Sequence, residues 1–316
     1  MRVIDAATLA ELTPYPALLD ALAGGLARPI ECPQRLHLDP TGAGDALLLM
    51  PAWRPASVMQ AGLLGVKLVT AYPGNAAKGL PAVAASYTAF DRQTGQLLAV
   101  LDGTELTVRR TAAALALGAR WLAREDSRRL LVIGTGALSQ PLARAHLAAM
   151  PGLAEVRVWG RVAAKAARVA GMLAAEGIPA APAGALADEV AAADVIVTAT
   201  TAREPLIASV WVREGTHLGL AGAFTPEMAE ADPALLGRAA LWADEREAVL
   251  AKGGEVVRAI AAGIIGPEAI RGDLASLARG PRPARDPAAI TVFKSVGFAA
   301  LDLIAAELAL GCLPPG

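Results

Sequence analysis

Residues 130–139, LLVIGTGALS, constrain the fold more than any other stretch: an apolar run turns through two glycines into a helical pattern. Gly134 and Gly136 permit a tight turn and let a pyrophosphate approach the backbone closely. A helix starting near Ser139 offers free amides and a favourable dipole to an anion. The pattern is GxGxxS; Ser139 is small enough for close packing of helix on strand and is placed to cap the helix. A bare GxG is a weak signal. After a buried-type strand and inside a repeated strand–helix order, it marks Gly134, Thr135, Gly136, Ala137, Leu138 and Ser139 as a dinucleotide-binding turn.

That repeated order continues downstream. EVRVWGR reads as the next strand and VAAKAARVAGMLAAEG as the next helix, followed by strands ADVIVTAT, THLGLAGAF and AALWAD. Nearly continuous apolar strands alternating with helices imply a parallel sheet covered on both faces. A helix is expected over 244–262, then a polar connection GDLASLARGPRPARD, then a strand and helix in ITVFKSVGFAALDLIAAELAL. Upstream, residues 6–25 read as one helix capped by Asp5. PQRLHLD, ALLLMPAW, GVKLVTAY, ASYTAFD and LLAVLD read as strands, the last two joined by the turn RQTG. Alternation in PQRLHLD puts Arg35 and His37 on one face. The expected fold class is α/β: a Rossmann-type parallel-sheet domain from about 118 to 290, plus a second α/β domain at the N-terminus. Periodicity alone leaves the last helix unassigned.

The tip of the second strand separates the nucleotides. NAD-type sites end this strand in an acid that receives the ribose hydroxyls. Here it ends Trp159, Gly160, Arg161, with Lys165 one helical turn on. Arg161 and Lys165 suit a 2'-phosphate, and Trp159 or Arg161 suits stacking on adenine. NADPH is therefore the expected cofactor, with NADH the weaker alternative. Thr198, Ala199 and Thr200 end ADVIVTAT, where small residues commonly face the dinucleotide.

Cations on apolar elements point to an anionic substrate. Lys67 interrupts GVKLV, where burial without an anion is costly. Arg110 heads the AAALALGA helix, where the dipole alone favours acids. Arg35 lies in an alternating strand. Converging, the three would hold a carboxylate. The formal charge of -1 and absence of a long basic block argue against a nucleic-acid partner, and no apolar run gives a clean membrane span. Cys32 and Cys312 form no CxxC pair or metal ligand set, so no metal is expected, and a cytoplasmic location is the default.

The segments GVKLV, YPGN, KGLPA, DRQTGQLLAVLDGTELTVRRTAA, LLVIGTGA, EVRVWGR, DVIVTATT and ITVFKSVGFAALD together resemble the ornithine cyclodeaminase and mu-crystallin family over nearly the whole chain. The resemblance implies a substrate and dimerisation domain over 1–117 with 293–316, a Rossmann domain over 118–292, and a homodimer. It implies that Arg35, Lys67 and Arg110 hold the substrate carboxylate and that Lys67 handles protons. It also places Lys294 and Ser295 in the segment closing over the nicotinamide side. GAFTPEMAEAD departs from the cyclodeaminase pattern: Phe224 replaces an acid, and a phenyl ring neither accepts a proton nor pairs with an ammonium. Phe224, with His37, is then expected to line a substrate pocket. Leu138 stands where many relatives have Gln.

The implied activity is NADPH-dependent reduction of a cyclic α-imino acid, pyrroline-2-carboxylate or piperideine-2-carboxylate, to L-proline or L-pipecolate. The alternatives are an amino-acid dehydrogenase acting on an open-chain 2-oxo acid plus amine, an ornithine cyclodeaminase, and a non-catalytic NADPH-binding protein.

Overall fold

The computed structural model describes residues 1–42, 44–58, 62–284 and 286–311; Cys312 lies outside them. The chain forms two units, Met1–Thr111 with Phe298–Gly316, and Ala112–Gly297. The expected cuts at 117/118 and 292/293 fall inside a helix and a strand. Those cuts come from the family resemblance; the units divide six residues earlier in the same helix and five residues later, after β14.

The first unit is built on a six-stranded sheet. Its elements are β1 (Arg2–Ile4), α1 (Ala6–Leu12), α2 (Tyr15–Leu26), β2 (Leu36–Leu38), β3 (Ala46–Trp53), β4 (Leu63–Ala71), β5 (Val83–Asp91) and β6 (Leu97–Asp102). The order across the sheet is β1-β6-β5-β4-β3-β2, antiparallel except for β1 beside β6. The single helix expected over 6–25 is two. Pro14 lacks an N–H and sits at the N-cap of α2, so the chain turns there.

Helix α3 (Gly103–Leu122) begins seven residues earlier than Arg110 suggests, because Asp102 accepts the Glu105 amide at 2.7 Å and starts the first turn. Arg110 is thus mid-helix rather than at its head, and no dipole argument applies to it.

In the second unit come β7 (Arg129–Ile133), α4 (Ser139–Ala149), β8 (Glu155–Trp159), α5 (Ala163–Ala175), β9 (Ala180–Pro182), α6 (Leu186–Ala192), β10 (Val195–Thr198), β11 (His217–Leu220), β12 (Ala239–Ala243), α7 (Arg246–Lys252), α8 (Gly254–Ala261), β13 (Ile270–Asp273), α9 (Leu274–Arg279) and β14 (Ile290–Lys294). All eight strands run parallel in the order β13-β12-β14-β11-β10-β7-β8-β9. From β7 the chain winds outward through β8 and β9, then returns to β10 on the other side. The carboxyl ends of β7 and β10 therefore flank a topological switch point, where ligands bind in such sheets. The core is the aliphatic face of these strands, including Leu131, Ile133, Ile196, Leu218, Leu220 and Val292.

Two expectations are corrected in this unit. The helix over 244–262 breaks at Gly253, where a Cβ would sit 2.8 Å from the Val249 carbonyl oxygen. The supposed polar connection contains the end of β13 and all of α9, the latter started by a reciprocal Asp273–Ser276 capping box that GDLAS encodes.

Finally α10 (Ala299–Ala309) returns to the first unit and packs on α2, β3 and β4. It is apolar nearly all round and almost wholly buried, as such a helix must be. Among the described residues, no helix is long and apolar enough to cross a membrane.

Candidate active site

In the first unit the sheet assembles a cation cluster. Directly opposed residues of antiparallel strands share a face, so Met50, Lys67, Tyr87 and Leu101 form one row across β3, β4, β5 and β6. Arg35 directly precedes β2, and its charge acts on Lys67. His37 pairs with Leu48 one step along the same face and is exposed.

Lys67 is 1% exposed and Arg110 5%. Both converge on Asp302 of α10, which is fully buried. Lys67 Nζ donates to Asp302 Oδ1 at 2.9 Å and lies 2.8 Å from Oδ2; Arg110 Nε donates to Oδ1 at 2.8 Å. Burial and the neighbouring Arg110 charge lower the Lys67 ammonium to about 8; Arg35 adds to this, and Asp302 opposes it. Lys67 and Arg110 thus share the one Asp302 carboxylate, with the Arg35 charge acting on Lys67, a setting that favours an added anion.

Tyr87 completes the row. Its hydroxyl is buried without a hydrogen-bond partner among the described residues. Burial first, then the Asp302 and Glu307 carboxylates, push the phenol well above its usual range, so it stays neutral. Gly65 makes the room: a Cβ there would lie 1.7 Å from the Tyr87 oxygen.

The dinucleotide motif folds in the second unit as a strand–turn–helix. Gly134 has φ 133° and donates to the Trp159 carbonyl at 2.9 Å. A Cβ there would sit 2.6 Å from the Ala199 carbonyl oxygen, so only glycine keeps the ends of β7 and β10 this close. A Cβ at Gly136 meets nothing within 4 Å, leaving the turn open on the side a pyrophosphate needs. Ser139 does not cap α4. Its hydroxyl donates within the turn, to the Gly134 and Gly136 carbonyls at 2.9 Å each, and so braces the loop. Arg161 and Lys165 are exposed beyond the tip of β8 and Trp159 is half-buried. This turn, with the α4 amides, fits the pyrophosphate of a nicotinamide dinucleotide.

Buried carboxylates that sequence reasoning missed support the neighbouring loops. Glu230 accepts from Thr198 Oγ1 at 2.6 Å, Thr200 N at 2.6 Å and Gly222 N at 2.5 Å, tying the ends of β10 and β11 together. Burial raises its proton affinity. Glu255 accepts the Glu230 amide at 2.8 Å and lies 2.8 Å from Lys294 Nζ. Lys294 is fully buried, so its ammonium is committed to that pair. Asp244 Oδ2 accepts from Ser295 Oγ at 2.8 Å, Val296 N at 3.0 Å and Gly297 N at 2.7 Å, fixing the FKSVG turn. Phe224, beyond β11, is 49% exposed.

The sequence model of the ornithine cyclodeaminase/mu-crystallin family matches residues 11–310. The chain is 44% identical over 246 residues to a Delta(1)-pyrroline-2-carboxylate reductase of Paracoccus denitrificans, covering 77% of each. It is similar to the structure of Thermococcus litoralis Delta(1)-pyrroline-2-carboxylate reductase in complex with NADH and L-proline (TM-score 0.91, 29% identity, 99% of this chain and 97% of that one). It is also similar to an archaeal alanine dehydrogenase dimer with bound NAD (TM-score 0.89, 28% identity, 99% and 95%).

Proposed function

From the premise that this chain belongs to the ornithine cyclodeaminase/mu-crystallin family, we propose that it is an oxidoreductase that reduces a cyclic α-imino acid, pyrroline-2-carboxylate or piperideine-2-carboxylate, with NADPH. The observation that carries this reading is the convergence of Lys67 and Arg110 on one carboxylate, with the Arg35 charge alongside. Buried cations in excess of carboxylate form a seat for the carboxylate of a small anion. Arg35 and Arg110 orient it. Lys67 delivers a proton to the imine nitrogen, which makes the adjacent carbon electrophilic. A group that loses its proton near pH 8 is well matched to that task at neutral pH. The dinucleotide, held by the glycine turn, supplies hydride to that carbon. Phe224 supports reduction over cyclodeamination, since it offers apolar surface where deamination chemistry places an acid.

Dinucleotide oxidation with each imine, and with pyruvate with and without ammonia, tests the reading. Turnover of a cyclic imine without ammonia is expected. Oxidation with neither imine overturns the reading, and ammonia-dependent turnover of pyruvate alone favours an open-chain dehydrogenase, as similarity to alanine dehydrogenase allows. Run with both nucleotides, kcat/KM is expected to favour NADPH, and Arg161→Ala to lower the NADPH value on the order of 10- to 100-fold, the worth of one charge-assisted phosphate contact. Equal use of both nucleotides refutes the NADPH assignment.

We further propose a homodimer. The face of the first sheet opposite α10 exposes Leu36, Leu38, Leu68 and Leu97, and registers them beside Leu47, Leu49, Leu64 and Phe90. An apolar patch of this extent suits a subunit interface. Sedimentation velocity is expected to report twice the 32.2 kDa chain mass. A monomer at micromolar concentration refutes it.

A further inference from the structure

We propose that Asp302 is the positioning residue of the cation cluster: one carboxylate grips Lys67 and Arg110 together, fixes the Lys67 ammonium, and secures its proton for the substrate nitrogen. The inference rests on the imine-reduction reading and deepens it.

The geometry comes first. Lys67 Nζ lies within 2.9 Å of both Asp302 oxygens, and Arg110 Nε takes Oδ1 at 2.8 Å. Two contacts to one flexible ammonium select one placement of its four-carbon stem, the pre-organisation that a proton donor requires.

Asp302 is fully buried in a helix that is otherwise nearly all apolar. A carboxylate there is costly unless its partners are good. The same helix carries a second buried acid, Glu307, in a one-to-one pair with Arg54. That pair shows what simple neutralisation looks like on α10. Asp302 differs: it serves two cations and lies in the field of a third.

The balance of charge points the same way. The groups facing Lys67 are Arg110 from α3, Arg35 before β2, Asp302 from α10 and Tyr87 from β5; Glu307, paired with Arg54, and Cys32 act on Tyr87. Burial and the two arginines all disfavour the ammonium, and Asp302 favours it. The proton balance closes simply. The Lys67 N–H bond breaks as the substrate N–H bond forms, leaving a neutral amine; hydride addition to carbon then gives the secondary amine, and solvent restores the lysine proton.

The test is Asp302→Asn, read in two ways. Lysine labelled with carbon-13 at Cε gives five signals, and Lys67→Arg identifies that of Lys67. Without substrate, the Lys67 midpoint is expected to fall from about 8 by about one pH unit or more. The alkaline limb of kcat/KM for the imine is expected to move by the same amount, with kcat lowered more than KM is raised. An unmoved Lys67 midpoint in the folded variant overturns the proposal, as does a limb that ignores the midpoint. Lack of imine turnover in the wild type refutes the imine reading instead, while the resonance still decides the role of Asp302. If Asp302→Asn does not fold, Asp302→Glu keeps the charge. It is expected to hold the midpoint near the wild-type value while lowering kcat at least about tenfold through misplacement. Wild-type kcat in that variant overturns the proposal.

Discussion

Lys67→Met is expected to lower kcat roughly 10²- to 10⁴-fold, the usual worth of a placed general acid, while dinucleotide affinity is unchanged. The glycine turn, the α4 amides, Arg161 and Lys165 belong to the other unit and are untouched by the substitution. The variant is expected to fold, because Asp302 retains Arg110 as partner and a buried ammonium is replaced by an apolar chain of similar length. Two pH signatures accompany the loss. The wild-type rate is expected to fall as pH rises through about 8, where Lys67 loses its proton, and the residual rate of the variant to lack this limb. The second needs no substrate. The folded-state value lies below the ordinary 10.5, so between about 8 and 10.5 the unfolded chain binds the extra proton and stability rises with pH. Across the whole window that amounts to about 3 kcal/mol in the wild type, and it is absent from the variant. Urea unfolding at pH 8 and pH 10 measures it. Near-wild-type kcat for Lys67→Met would remove Lys67 from the chemistry.

How much of this was legible in the sequence follows from the range of the signals. The dinucleotide turn is local: strand, two glycines and helix lie within one stretch, and the structure keeps each element where the pattern puts it. The row containing Lys67 was half legible. Alternation places an odd cation on the inner face of a strand, but not what it meets. Its partner Asp302 is 235 residues away, beyond any periodicity. A signal was nevertheless present: FAALDLIAAELAL carries two acids in a run otherwise apolar on every face. Such acids must be buried with it and must find cations, and the apolar-strand residue Lys67 is an obvious candidate. Glu230, Glu255 and Asp244 gave no comparable signal, because they lie in loops or at helix starts where acids are ordinary. Helix boundaries failed where Pro14 and Gly253 interrupt apolar patterns that continue on both sides. The start of α3 was missed because Asp102, read only as the last residue of the LLAVLD strand, also accepts the Glu105 amide and starts the helix.

Breaking the Arg54–Glu307 pair is expected to cost about 3–5 kcal/mol. The guanidinium meets the carboxylate side-on, Nε to Oε1 at 2.8 Å and Nη2 to Oε2 at 2.7 Å, with 1% and 0% side-chain exposure. Nη1 adds the Gly25 carbonyl of α2 at 3.3 Å. One residue just beyond β3 thereby pins both α2 and α10, at a point where a Cβ on Gly25 would lie 2.8 Å from Ile304. Arg54→Met leaves Glu307 charged in an apolar helix, and Glu307→Leu leaves Arg54 charged beneath it; each uncompensated charge is the source of the cost. Arg54→Met/Glu307→Leu removes both charges and is expected to recover most of the loss, since apolar replacement of a buried pair is often neutral or stabilising. Urea midpoints of the four proteins read the coupling directly, and single-variant losses that simply add in the double variant would contradict it. The same helix carries Asp302, so activity discriminates further. If the pair serves only to seat α10, the double variant regains both stability and the imine-reduction rate. If its charges also tune the Lys67 row through Tyr87, on which Glu307 acts, stability returns while the pH profile stays displaced.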